Sequence, residues 1–210
     1  KKLQNMSPEE FIEEILSKLN IKYLMVGDDF KFGKERSGDF DFLSDWGSNN
    51  QIEVDRIPTH SFEGRRVSST WIRESLADGN FDLAAKLLDR RYTFSGKVVF
   101  GNKVGRTIGV PTANIWVPKS NLPIKGVYAV KALVKGETFN GIANMGVRPT
   151  VGGTSPVLEI HIFDFNEEIY GCRIEVEFYQ KIRDEKKFEN LDKLKEQINL
   201  DIAETRKYFS

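Results

Sequence analysis

Cysteine is nearly missing from this 210-residue chain: Cys172 stands alone, which forbids an internal disulfide and suits a reducing compartment. Its plainest role is that of a small residue buried in a strand. An excess of charge of one sign is missing too, since 31 Lys and Arg balance 31 Asp and Glu. Residues 1–90 carry 13 cations against 17 anions, and residues 91–210 carry 18 against 14. Neither imbalance has the weight of a nucleic-acid-binding domain. No apolar run approaches the length of a membrane span, and the first residues hold no signal-peptide core. The expectation is a cytoplasmic protein without membrane or nucleic-acid partners. The first residue is Lys1 rather than methionine, which suggests a fragment.

What the chain does hold is a dense run from Gly101 to Asn114. Gly101, Gly105 and Gly109 fall within nine residues together with Lys103 and Arg106, and Pro111-Thr112-Ala113-Asn114 closes the run. Glycines let backbone amides approach an anion unobstructed, and the cations add positive charge. The spacing is not that of a Walker A loop, and Ile115-Trp116-Val117 beyond it is β-prone rather than helical. The run reads as a phosphate loop on a β-scaffold, or as no more than a glycine-rich hairpin with a proline turn. Thr112 and Asn114, two apart on an extended segment, point to one side. A hydroxyl and an amide oxygen side by side suit Mg²⁺, which takes few protein ligands alongside substrate phosphates.

Nearer the start, Ser7-Pro8-Glu9-Glu10 carries a helix signal: a serine cap, proline in the first turn, and acids behind it. Phe11, Ile12, Ile15, Leu16 and Leu19 form an apolar face at helical spacing, and residues 21–26 read as a strand. In an α/β setting a ligand is expected at that strand's end. Asp29, Phe30, Phe32 and Gly33 lie there, the phenylalanines serving either to stack a base or as core. Residues 51–57 alternate as another strand. Ser68, Ser69 and Thr70 then open a helix with Ile72 and Leu76 inward and Arg73 one turn on. These hydroxyls suit a phosphate, or simply cap the helix. Asp78-Gly79-Asn80 ends it, residues 81–88 form a second short helix, and a boundary falls at residues 89–92.

From Tyr92 the pattern changes to strands over residues 94–100, 126–135, 138–145, 157–165 and 173–180. Lys135-Gly136-Glu137 is a hairpin turn, Asn166-Glu167-Glu168 another, and residues 144–150 a turn after a strand. Short, evenly spaced strands without intervening helices point to a closed antiparallel barrel. Leu158, Ile160 and Ile162 share one face and must be core, which puts Glu159 and His161 on the other with Val157, Phe163 and Phe165. A carboxylate there can take the proton of an attacking hydroxyl, or merely sit on an exposed strand face. Residues 190–209 form a final helix with Leu191, Leu194, Ile198, Ile202 and Phe209 on its apolar stripe and the charged remainder solvated.

The spaced motif G-x3-G-R-x2-G-x-P-T-A-N over residues 101–114 resembles the signature of riboflavin kinases. That resemblance implies a six-stranded Greek-key barrel with a C-terminal helix that phosphorylates riboflavin to FMN with ATP. It implies that Gly101, Lys103, Gly105, Arg106 and Gly109 cover the nucleotide and that Thr112 and Asn114 serve Mg²⁺ and ATP. Glu159, in the E-x-H-x3-F segment, becomes the base for the ribityl 5′-hydroxyl, while His161 has no comparable role. The segment N-x-G-x-R-P-T, with Arg148, borders the site, and R-x-E-x2-F places Arg183, Glu185 and Phe188 near the isoalloxazine. Earlier in the chain, G-x-D-F-x-F-G-K-x-R-x-G-D and V-S-S-T-x-I-R are similar to the FMN adenylyltransferase module of bacterial FAD synthetases. On that resemblance Asp29, Phe30, Phe32, Gly33, Ser68, Ser69, Thr70 and Arg73 meet nucleotide or flavin, with Trp71 where the family often has arginine. The H-x-G-H element of that class is absent, so these 210 residues alone are expected not to make FAD.

The expected architecture is therefore α+β. A partial α/β, Rossmann-like nucleotidyltransferase domain over residues 1–90 precedes a riboflavin kinase barrel over residues 91–210. The rival readings are a non-catalytic barrel that binds single-stranded nucleic acid, and one that carries FMN for redox chemistry.

Overall fold

The computed structural model describes residues 3–101, 104–118, 122–150 and 153–210. The chain divides into two compact units, Lys1–Val67 and Ser68–Ser210.

In the first unit Ser7 caps α1 (Pro8–Glu14) through a capping box: Ser7 Oγ accepts the Glu10 N–H at 3.1 Å and the Glu10 carboxylate accepts the Ser7 N–H at 2.8 Å. The helix is shorter than its apolar spacing suggests. It tightens into a 3-10 turn over Leu16–Lys18, which keeps Leu16 buried and leaves Leu19 57% exposed. Strands β1 (Tyr23–Gly27) and β2 (Glu53–Ile57) pair in parallel, Tyr23 opposite Glu53 and Gly27 opposite Ile57. A parallel pair needs a crossover, supplied by α2 (Phe40–Asn49), whose N-cap Asp39 accepts the Phe42 N–H at 3.1 Å. The small hairpin of β3 (Ser61–Phe62) and β4 (Arg65–Arg66) follows. Ile12, Leu16, Val26, Phe32 and Leu43 form the core of this unit.

The second unit opens with α3 (Ser69–Ala77) and α4 (Phe81–Leu88). Their Leu76, Phe81 and Ala84 belong to the same buried cluster as Tyr128, Val176 and Phe178 of the sheet that follows, and Phe81 meets the edge of Tyr128 at 5.4 Å between centroids. The compact division falls at Val67/Ser68, and α3 and α4 go with the barrel because they bury their apolar faces against it.

Six strands close the barrel: β5 (Thr93–Val99), β6 (Ala113–Trp116), β7 (Gly126–Val134), β8 (Glu137–Thr150), β9 (Gly153–Ile162) and β10 (Arg173–Arg183). Their order is β10-β5-β6-β9-β8-β7, with every neighbouring pair antiparallel. Leu158 and Ile160 are fully buried and Ile162 is 6% exposed, the inward face that alternation predicts. One expectation needs correction. Residues 144–150 are not a turn but the end of β8, where Arg148 stands opposite Ser155 and Thr150 opposite Gly153. The β7 ladder ends at Met145, so beyond it β8 pairs on one side and a proline costs at most one donor. Within the glycine loop, α5 (Val104–Thr107) makes one helical turn. The C-terminal helix α6 (Leu191–Phe209), capped by Asn190, covers Val127, Ile142 and Phe163 with Ile202.

Candidate active site

Barrel register builds the site. Across β6, β9 and β8, Asn114 stands opposite Glu159, and Glu159 opposite Asn144. Directly opposed residues of an antiparallel ladder project to the same side, so three polar side chains form one row on the outer wall. Glu159, Thr112, His161 and Asn144 face a cavity of about 390 Å³, with Gly105 from the glycine loop. Arg183, Glu185 and Phe188 line it as well, and α6 adds Leu194, Ile198 and Asp201. Loop, carboxylate and the R-x-E-x2-F segment, far apart in sequence, therefore meet around one space.

Close packing fixes these parts. A Cβ on Gly101 would strike the Asn114 amide, and one on Gly105 would strike the Val110 carbonyl and lie 3.3 Å from Thr112 Oγ1. Asn114 itself is buried. His161 Nδ1 lies 2.8 Å from the Pro111 carbonyl, at the head of the Pro-Thr-Ala-Asn segment. Arg183 is clamped by Asp201: Nη2 approaches Oδ2 at 2.7 Å, and Nε lies 3.0 and 2.9 Å from Oδ1 and Oδ2. Gln197 Nε2 donates to the same carboxylate at 2.9 Å. Glu185 pairs with Lys125 at 3.1 Å and rests on Gly146, where any Cβ would meet its carboxylate.

A second cavity, of about 160 Å³, lies beside Pro111, Thr112 and Ala113 and is lined by Arg106 and the 165–170 segment. Thr112 borders both cavities. At the rim of the smaller one, Phe100 is 72% exposed and stacks on Tyr170 at 4.2 Å, with 23° between the planes. Gly109 has a φ of 82° and follows the helical turn of the loop. Lys103 lies outside the described residues.

The residues singled out nearer the start are arranged differently. Phe32 is buried, stacked on Phe30 at 5.6 Å and flanked by Phe11 and Phe42, so it is core rather than a free base-stacking surface. Asp29 pairs with Arg66 at 2.9 Å, and that hydrogen bond holds its carboxyl below the usual range. Gly33 has a φ of 74° and leaves room for Pro8. Ser68 caps α3 by accepting the Trp71 N–H at 3.2 Å, and Arg73 Nη2 donates to Ser69 Oγ at 3.2 Å. Ser69 and Thr70 are exposed. Asp29 to Gly33 belong to the first unit and Ser68 to Arg73 to the second. Among the described residues no three His, Cys, Asp or Glu side chains are grouped to hold a metal.

Two site residues were not singled out in the sequence reading. Asn144 stood there at the head of the turn segment said by resemblance to border the site, whereas its place on a strand beside Glu159 makes it part of the row. Asp201 sits in a helix of many charged residues, and nothing in its spacing distinguishes it from solvated neighbours.

Comparison with known proteins bears on the whole chain. The family model described as riboflavin kinase matches residues 88–209, and that described as FAD synthetase matches residues 1–71. A bifunctional riboflavin kinase/FMN adenylyltransferase of Haemophilus influenzae is 48% identical over 202 residues, covering 95% of this chain and 66% of its own. The protein of the same description from Pseudomonas fluorescens is 44% identical over 207 residues, with coverages of 98% and 67%. The chain thus spans about two thirds of the length of the curated relatives it matches. A solved structure from Streptococcus pneumoniae, described as a macrolide-efflux protein, is similar with a TM-score of 0.76 at 33% identity, over 98% of this chain and 67% of that one. Among the described residues here, no helix is long and apolar enough to cross a membrane. Glycine loop, closed barrel and the match over residues 88–209 agree: the chain belongs to the riboflavin kinase family.

Proposed function

We propose that this chain transfers the γ-phosphoryl group of ATP to the 5′-hydroxyl of riboflavin, giving FMN. The observation that carries the reading is the 390 Å³ cavity that gathers Thr112, Glu159 and the segment from Arg183 to Phe188. Its apolar lining of Val127, Ile142, Phe188, Leu194 and Ile198 suits a flat heteroaromatic ring, and its polar row suits a hydroxylated chain. Glu159 takes the proton of the 5′-hydroxyl as that oxygen attacks the γ-phosphorus in line, while the bond from that phosphorus to the β–γ bridging oxygen breaks and ADP leaves. The nucleotide occupies the smaller cavity beside the glycine loop, with Arg106, which lines it, toward its phosphates. Thr112, which borders both spaces, then stands where the phosphoryl group crosses. Thr112 and Asn114 are neutral oxygen donors without a carboxylate cluster beside them, the donor set that suits Mg²⁺ already carrying phosphate oxygens. Bound there, Mg²⁺ would neutralise phosphate charge. Positioning and charge neutralisation are most of what phosphoryl transfer requires.

FMN adenylylation is the second activity named for the relatives. In this reading the 210 residues do not perform it alone. His60 and His161 are the two histidines of the sequence, and their spacing matches no H-x-G-H element. The reaction is placed in the cytoplasm, where ATP is supplied and Cys172 stays reduced.

The test is to supply riboflavin, ATP and Mg²⁺ and separate the flavins. FMN without FAD is expected, and absence of FMN would refute the kinase reading. Glu159→Gln should lower turnover by roughly 10²–10⁴-fold while retaining riboflavin binding; unchanged turnover would remove Glu159 from the chemistry.

A further inference from the structure

His161 lies two residues along β9 from Glu159 and has no part in the chemistry above. Its Nδ1 is 2.8 Å from the Pro111 carbonyl oxygen. A carbonyl can only accept, so this nitrogen carries the proton and the neutral ring keeps its lone pair on Nε2. The ring is braced from behind. It meets Phe163 at 5.6 Å with 64° between the planes, and Phe163 is buried beneath the Arg206 guanidinium at 4.5 Å. Arg206 is in turn fixed by two bonds to Asp164, at 3.0 and 2.9 Å. The segment that the imidazole holds needs such a tie. The ladder between β6 and β9 begins at Ala113, one residue after Thr112 and two after Pro111.

We propose that His161 is a positioning residue for phosphoryl transfer. Its Nδ1–H fixes the Pro111 carbonyl and so sets where Thr112 stands between the two cavities, anchoring that point to α6 through Phe163 and Arg206. The inference rests on the role given above to Thr112, and its test separates the two.

Asparagine can place an amide N–H near the position of Nδ1, whereas glutamine places one near Nε2. His161→Gln and His161→Ala should lower kcat by about 10²-fold, the scale of a displacement of about 1 Å in a reacting group. Riboflavin affinity, read by quenching of flavin fluorescence, should stay near that of the unaltered chain. His161→Asn should recover most of the turnover that His161→Gln loses, at matched melting temperatures. The reverse order would put Nε2 on the substrate and overturn the proposal. Losses that merely follow melting temperature, or three variants with unchanged turnover, would overturn it as well. The tautomer gives a readout free of turnover: at a pH near 8.5, where an ordinary imidazole is neutral, nitrogen-15 shifts should report Nδ1 as protonated. A proton on Nε2 would refute the clamp. Because that measurement needs no substrate, it decides the clamp even for a chain that makes no FMN, an outcome that would sink only the kinase reading.

Discussion

Removing the Asp201 carboxylate should be the most damaging single change in the second unit outside its apolar core. Its side chain is 4% exposed and that of Arg183 is 21% exposed, and three N···O distances of 3.0 Å or less join them. Deleting one member of a buried pair costs about 3–5 kcal/mol, because the survivor's charge stays desolvated without compensation. In Asp201→Ala the survivor keeps one bond, from Nη1 to the Asp184 carbonyl at 2.9 Å, and some contact with solvent. The lower end, about 3 kcal/mol, is therefore expected. Arg183→Ala should cost a similar amount, since Gln197 alone cannot satisfy the stranded carboxylate. The double variant should cost well under the sum, giving a coupling of about 2 kcal/mol. Urea denaturation of the four proteins, read as free energies from midpoint and slope, measures each quantity. Riboflavin titration of the folded variants should show weaker binding if the cavity takes riboflavin as proposed, because Arg183 and Asp201 both line it. Additive losses, or an Asp201→Ala cost below about 0.5 kcal/mol, the range of ordinary surface changes, would refute the buried-clamp argument.

Three further outcomes follow from single positions. Gly105→Ala sets a methyl group against the Val110 carbonyl and beside Thr112; it should cost about 1–3 kcal/mol and raise KM for both riboflavin and ATP in steady-state kinetics, because Gly105 lines the larger cavity and Thr112 borders both. Asp89 ends α4 in the left-handed region at φ 55° and carries a negative charge at a helix C-terminus. Asp89→Gly should relieve both and stabilise the second unit by about 0.5–1 kcal/mol, visible as a raised melting temperature. Burial pushes the Tyr128 phenol up to about 12, and burial followed by a hydrogen bond to Glu177 does the same for Tyr179. A raised folded-state value favours the neutral form, so this stability is whole below pH 10 and lost as pH climbs toward 12. Tyr128→Phe should flatten the alkaline fall in denaturation midpoint over that window, and an unchanged slope would contradict it.

What sequence reveals here tracks how strictly backbone geometry ties a pattern to its outcome. Strand alternation forced Leu158, Ile160 and Ile162 inward, and with that choice Glu159 had to face the other way. The barrel and the outward setting of Glu159 were legible for that reason. Helix α2 was not. Its Phe-Asp-Phe-Leu-Ser-Asp-Trp-Gly run is poor in helix formers. It is helical because Asp39 caps it, Leu43 is buried, and Gly47 lies against the Ile52 carbonyl, where a Cβ would not fit. Residues 144–150 misled in the same way. Gly146 and Pro149 look like breakers, yet Gly146 sits in a continuous strand and leaves space for Glu185. Asp201 was illegible in principle: its meaning depends on Arg183, on another element, and not on any period within α6.

These omissions share a place. Arg183, Glu185 and Phe188 were expected by resemblance near the flavin and line one cavity, but the contacts that hold Arg183 and Glu185 were not foreseen. Asp201 grips Arg183 from α6, Lys125 pairs with Glu185, and Gly146 offers it a bare backbone. Gly126 adds a fourth constraint. Its φ of 128° is one that side-chain-bearing residues rarely adopt, and a Cβ there would meet the Arg183 carbonyl at 2.5 Å. Arg183, at the end of β10, and Glu185 just beyond it are thus tied to the barrel or the helix before any ligand arrives. Preorganisation of this kind reduces the ordering cost of binding. It also couples two measurable quantities, since contacts that stabilise the fold shape the cavity wall. In the Asp201→Ala titrations, loss of stability and loss of riboflavin affinity should therefore appear together.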